Sequence, residues 1–141
     1  MKKIKLAFVG FAAMLGTLGW ASNVNALTST DTCTSGIYFA RNYLDYELSG
    51  STWMIRNIGY LYTPSNSVST HNNLNERLYS SSNSLIYSYN SPDNLVRDGQ
   101  LHWTHYFVNP LAFSAGQTLK LTNIFDVPNA ADPQCTTSFY R

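Results

Sequence analysis

Two histidines flank a tryptophan in LHWTHYFV, residues 101–108. Imidazoles are the side chains that most readily ligate a metal or move a proton near neutral pH. Their use here depends on the element that carries them. A helix would bring His102 and His105 onto one face, three residues apart. In a regular strand, residues an odd number apart point to opposite sides of the sheet. Thr104, Tyr106, Phe107 and Val108 crowd the segment, and Asp98-Gly99 precedes it, so the residue types predict a strand. Leu101, Trp103, His105 and Phe107 would share one face, and His102, Thr104, Tyr106 and Val108 the other. His105 is then expected at the core edge or against a buried partner, His102 in solvent, with no metal shared between them.

Little other chemistry is grouped. His71 lies in a polar stretch and offers a metal ligand only if joined by one of the strand histidines. Glu47, Glu76 and the aspartates are scattered, so no carboxylate pair of glycosidase type can be assembled from spacing. No Gly-x-Ser-x-Gly, His-Glu-x-x-His or phosphate-cradling glycine loop occurs. The expectation is a non-enzymatic protein without a cofactor. Cys33 and Cys135 are the only cysteines. In an oxidising compartment they are expected to pair, closing a loop of about a hundred residues worth on the order of 4 kcal/mol. That bond would hold the first and last elements together.

Tyrosine, serine, asparagine and threonine supply 49 of residues 27–141, while charged residues make up only 12% of the chain. Tyrosine gives rigid contact area, and serine and asparagine give adaptable hydrogen bonds, which suits a recognition surface. Tyr60 with Tyr62, and Tyr87 with Tyr89, are spaced to share a strand face. Facing outward, they and Trp103 would be ligand contacts for a glycan or a protein. Facing inward, the tyrosines would fill the core with their hydroxyls at its rim.

The elements that must position these groups read as β throughout. In 37–48, Ala40, Leu44 and Leu48 fit a helix face or, with Tyr38 and Tyr46, a strand face; three tyrosines and Phe39 favour the strand. Residues 51–62 alternate as a strand. Residues 63–73 read as a loop or weak edge segment, and 74–83 as holding one helical turn that pairs Leu74 with Leu78. Residues 84–90 are strand-like. Asp98-Gly99 signals a two-residue hairpin between Leu95-Val96-Arg97 and Gln100-Leu101-His102. Asn109-Pro110 interrupts, and strands follow around Leu119 and from Cys135 to Phe139. About seven short strands without a long helix predict an all-β, antiparallel, immunoglobulin-like β-sandwich, its termini tied by one disulfide.

Two fragments, WMIRNIG at 53–59 and LAFSAGQTLKLT at 111–122, resemble bacterial immunoglobulin-like adhesion modules of the CARDB type. The resemblance implies a sandwich fold and a non-enzymatic role. It carries over no ligand and no binding residue, and the longer Ser/Asn/Tyr-rich stretch between the fragments departs from the family.

The first 26 residues show a basic start at Lys2, Lys3 and Lys5, an uncharged run from Leu6 to Gly19, and Val24-Asn25-Ala26 as a cleavage site. This predicts a secretory signal peptide over 1–26 and one domain over 27–141, secreted or periplasmic. All eight acidic residues lie beyond residue 26, against six basic ones there, so the remaining domain carries about −2. Without a basic stripe, nucleic acid is not an expected partner, and no membrane span is expected after signal cleavage. The sequence therefore points to an exported binding module for a protein or glycan. The alternative is a secreted inhibitor, immunity factor or small toxin acting on a protein or cell-surface target.

Overall fold

The computed structural model of the protein describes residues 26–65 and 69–141, so nearly all of the expected signal segment lies outside the described residues. Nine strands are formed, and no helix among the described residues. They are β1 (Leu27–Ser35), β2 (Tyr38–Ser49), β3 (Thr52–Thr63), β4 (Ser69–Tyr79), β5 (Leu85–Asn90), β6 (Leu95–Arg97), β7 (His102–Phe113), β8 (Thr118–Ile124) and β9 (Gln134–Tyr140). One sheet has the order β1-β2-β3-β7; the other has β5-β4-β8-β9, with β6 pairing to the first part of β4. Every pairing is antiparallel.

The result is the expected all-β sandwich, with nine strands rather than about seven. The first three strands are neighbours in one sheet, whereas the immunoglobulin constant-type order puts its second and third strands in opposite sheets. Within 37–48 the strand runs from Tyr38 onward, as the aromatic content indicated, with Ile37 in the preceding turn. The strand's inward row, Ala40, Asn42, Leu44 and Tyr46, is buried, and the residues between are more open.

Three groups of side chains join the layers. Cys33 on β1 and Cys135 on β9 form the disulfide, with Cα atoms 5.7 Å apart, closing one lateral edge. In the middle, Asn42 and Asn123 exchange hydrogen bonds through both amides, at 3.0 and 2.9 Å, and the Thr137 hydroxyl donates to Asn42 Oδ1 at 2.8 Å. All three are buried, and each bond spans the two sheets or braces one that does. At the other lateral edge, β7 meets β4 and β5 through His105, Glu76 and Tyr87.

Three local expectations are corrected. Residues 74–79 are no helical turn but part of β4, which lies inside its sheet between β5 and β8. Leu74, Glu76 and Leu78 all point inward; a buried glutamate between two leucines hides the two-residue period and leaves an i, i+4 leucine pair that mimics a helix. The polar segment from 63 to 73 is likewise strand from Ser69 onward, with residues 66–68 outside the described residues. Asp98-Gly99 does not turn a hairpin, because β6 pairs with β4 while β7 pairs with β3. Gly99 takes φ 78° and donates its N–H to the Tyr62 carbonyl at 3.0 Å, so this turn carries the chain from one sheet to the other.

A fourth correction changes the chemistry. Along β7, His105 pairs with Ile58 and Trp103 with Gly59, leaving Thr104 as an extra residue. This β-bulge resets the alternation. His102 and His105, three apart, therefore both face the interior, while Trp103 and Tyr106 both face solvent. Trp103 does not share a face with His105. Asn109-Pro110 falls within β7 as a second irregularity instead of ending it.

Candidate functional site

Inside the sandwich, the β4 backbone directs Glu76 between the sheets, where its side chain is completely buried. Its Oε2 lies 2.8 Å from His105 Nδ1 and 3.3 Å from the Tyr87 hydroxyl, which is itself 3.4 Å from His105 Nδ1. Its other carboxylate oxygen, Oε1, has no hydrogen-bonding partner among the described residues. Burial pushes the Glu76 carboxyl above the usual range, because the charged form loses water; the His105 bond and charge, the Tyr87 bond and Arg77 offset this only partly. Tyr87 is raised too, by burial first and then by the Glu76 charge. Phe107 stacks on His105 at 4.0 Å between centroids and Tyr89 lies against it at 4.2 Å, so the imidazole sits in an aromatic box. The group links three side chains by hydrogen bonds and joins the two sheets. No open face is left on Glu76 for a substrate.

His102 takes a separate carboxylate. Its Nε2 lies 2.9 Å from Asp98 Oδ1, its ring stacks on Tyr60 at 5.4 Å, and it is half-buried instead of solvated. The His102 bond and then the Gln100 N–H hold the Asp98 carboxyl below its ordinary value. Although the bulge turns both imidazoles inward, they pair with different acids. Among the described residues no three His, Cys, Asp or Glu side chains are grouped to hold a metal ion, and His71 joins neither pair.

The tyrosine candidates divide. Tyr60 and Tyr62 are core residues, corrected from surface contacts: their rings lie 4.5 Å apart, and Tyr62 packs edge-on against Phe125. The Tyr60 oxygen accepts the Val96 N–H at 2.9 Å, and the Tyr62 hydroxyl reaches the Asn73 carbonyl at 3.4 Å, so both polar tips are used internally. Tyr87 and Tyr89 are half-buried around His105. They form no outward strip. Trp103 alone of the five is an exposed residue, at 51%.

Trp103 stands on a face that the sequence did not single out. Across the outside of the first sheet runs the register row Thr30, Tyr43, Gly59, Trp103. The next row, two residues along β3, is Thr28, Asp45, Asn57, Tyr106. Gly59 explains how the indole is held. A Cβ there would come within 2.8 Å of Trp103 Cε3 and 3.1 Å of Cζ3, so the six-membered ring occupies the place of the missing side chain. Tyr43 meets the ring edge-on at 6.4 Å. Tyr106 is 71% exposed beside Asn57, whose amide donates to Asp45 Oδ2 at 2.7 Å. Arg56 bonds Glu47 on the same side, and Arg41 lies over the Phe39 ring at 5.8 Å. The missing signal was Thr104: without the bulge, alternation puts Tyr106 and Trp103 on opposite faces.

Comparison with protein-family models, with curated proteins and with solved structures finds no match to the chain. The Cys33–Cys135 bond, together with the absence among the described residues of a helix long and apolar enough to cross a membrane, is compatible with an extracellular or periplasmic setting.

Proposed function

We propose that the protein is an exported, non-enzymatic binding module that presents the outer face of the β1-β2-β3-β7 sheet to a protein or glycan. One observation carries this reading: Trp103 and Tyr106, both exposed large aromatics, stand in adjacent register rows of a sheet face that no other element covers among the described residues. Aromatic residues of this kind are the usual anchors of recognition surfaces. The inward placement of Glu76 and His105 supports a structural role for the most tightly coupled titratable group. The resemblance of 53–59 and 111–122 to adhesion modules points the same way. Export itself rests on the residue 1–26 pattern and agrees with the disulfide.

The test is capture from cell and host extracts by the immobilised protein, run beside Trp103→Ala and Tyr106→Ala. A ligand retained by the parent and lost from both variants, with melting temperatures of the variants within a few degrees of the parent, supports the reading. Ligands retained equally by all three proteins would refute the surface assignment.

A further inference from the structure

We infer that the outer face of the β1-β2-β3-β7 sheet is a binding site for an uncharged glycan, with the Trp103 indole as its stacking platform. The inference rests on the proposed binding role and names the ligand class. Three observations point to a sugar.

The first is the ring's setting. Trp103 covers the Gly59 backbone where a side chain would stand, is braced edge-on by Tyr43, and keeps 51% of its surface in solvent. A ring seated at Gly59 and half open to solvent leaves aromatic surface free, and the weakly positive C–H groups of a pyranose match the electron-rich face of such a ring. The glycine and the brace hold the ring in place before any ligand arrives, which lowers the ordering cost of binding.

The second is the polar row beside it. Asp45 and Asn57 already hydrogen-bond each other at 2.7 Å, which fixes their orientation. The Asp45 carboxylate and the Asn57 carbonyl keep acceptor capacity for sugar hydroxyls. Thr28 and Thr30 continue the two rows with exposed hydroxyls. Tyr106 supplies a second ring roughly 7 Å along β3 from the Trp103 row, as expected for two residues in a strand.

The third is charge. Arg41, Asp45, Glu47 and Arg56 face this side and sum to zero, with Glu47 and Arg56 bonded to each other. A nucleic acid or an acidic polysaccharide would need a basic excess that these residues do not provide. Aromatic surface, oriented hydroxyl partners and no net charge together fit a neutral oligosaccharide better than a charged polymer.

The probes are neutral oligomers of glucose, galactose and N-acetylglucosamine, with uronic-acid and sulfated oligomers as charged counterparts. Binding to the purified protein is measured by calorimetry and on an array. A neutral oligomer is expected to bind with little dependence on salt. Trp103→Ala should weaken it by about tenfold or more, an amount within reach of lost ring stacking and area. Tyr106→Ala should weaken it severalfold, and Trp103→Phe should retain most of the affinity. Trp103→Ala uncovers Gly59 and can loosen the sheet, so Tyr106→Ala and Trp103→Phe, which leave that contact filled, keep the inference testable. Failure of every neutral oligomer to bind, binding confined to charged oligomers, or equal affinity in all variants would overturn it. If no sugar binds but a captured protein depends on Trp103 and Tyr106, the glycan assignment falls and the binding role stands. If no capture depends on either residue, both fall.

Discussion

Glu76 is the residue with the most to lose from its position. Completely buried, it keeps one oxygen shared by His105 and Tyr87 and the other without a hydrogen-bonding partner among the described residues. A buried carboxylate with incomplete partners is costly, and protonation relieves the cost. Its carboxyl is raised in the folded protein by desolvation. The folded state therefore holds this proton more tightly than the unfolded chain does. The stability contributed by that proton is fully present below the unfolded value near 4.5 and is lost as pH rises through the raised folded value. Glu76→Gln, neutral at every pH, should flatten this part of the profile. Urea midpoints measured from pH 4 to 8 should fall less steeply with pH in the variant than in the parent, and parallel profiles would contradict the assignment. Of this cluster the sequence disclosed only that His105 wanted a buried partner. Glu76, alone among polar neighbours in Asn-Glu-Arg, gave no sign of pointing inward.

A single extra residue on β7 decides what each side of the first sheet displays. Trp103 faces out and His102 in because Thr104 is inserted opposite Ile58 and Gly59. Its side chain matters less than its presence. Thr104→Val should leave stability within about 1 kcal/mol, as for an ordinary strand substitution. Deleting Thr104 should drive Trp103 toward the core and His102 toward solvent, lowering the melting temperature sharply. Blue-shifted tryptophan emission from any remaining folded fraction would accompany it. An unchanged melt after deletion would show that the bulge does not set the faces. Most strands were legible from Val, Ile, Thr and aromatic content, and β2 and β3 fall where residue types and alternation placed them, but β4 was not, because its polar residues and inward Glu76 read as a loop and a helical turn. Bulges were not legible, because a two-residue period carries no mark of the residue that breaks it. The Asp98-Gly99 pair misled for a related reason: a φ-positive glycine suits any sharp turn, including one that leaves the sheet.

Across the molecule, the sheets are joined at each lateral edge and in the middle by unlike chemistries. The disulfide holds β1 to β9, the Asn42–Asn123–Thr137 group holds the centre, and Glu76 with His105 holds β7 to β4. Only the first of these was readable in the sequence, since two cysteines allow one pairing. The other two required knowing which strands lie opposite. Replacing Cys33 and Cys135 together by serine should cost on the order of 4 kcal/mol, given the 102-residue separation. Hydrogen exchange should accelerate first in β1 and β9 and last in β4 and β8; uniform acceleration would mean that the edges are not independent. Because one lateral clasp is severed by electrons and the opposite one loosens as a proton leaves, a reducing milieu and a rise in pH would unfasten the same protein from contrary sides.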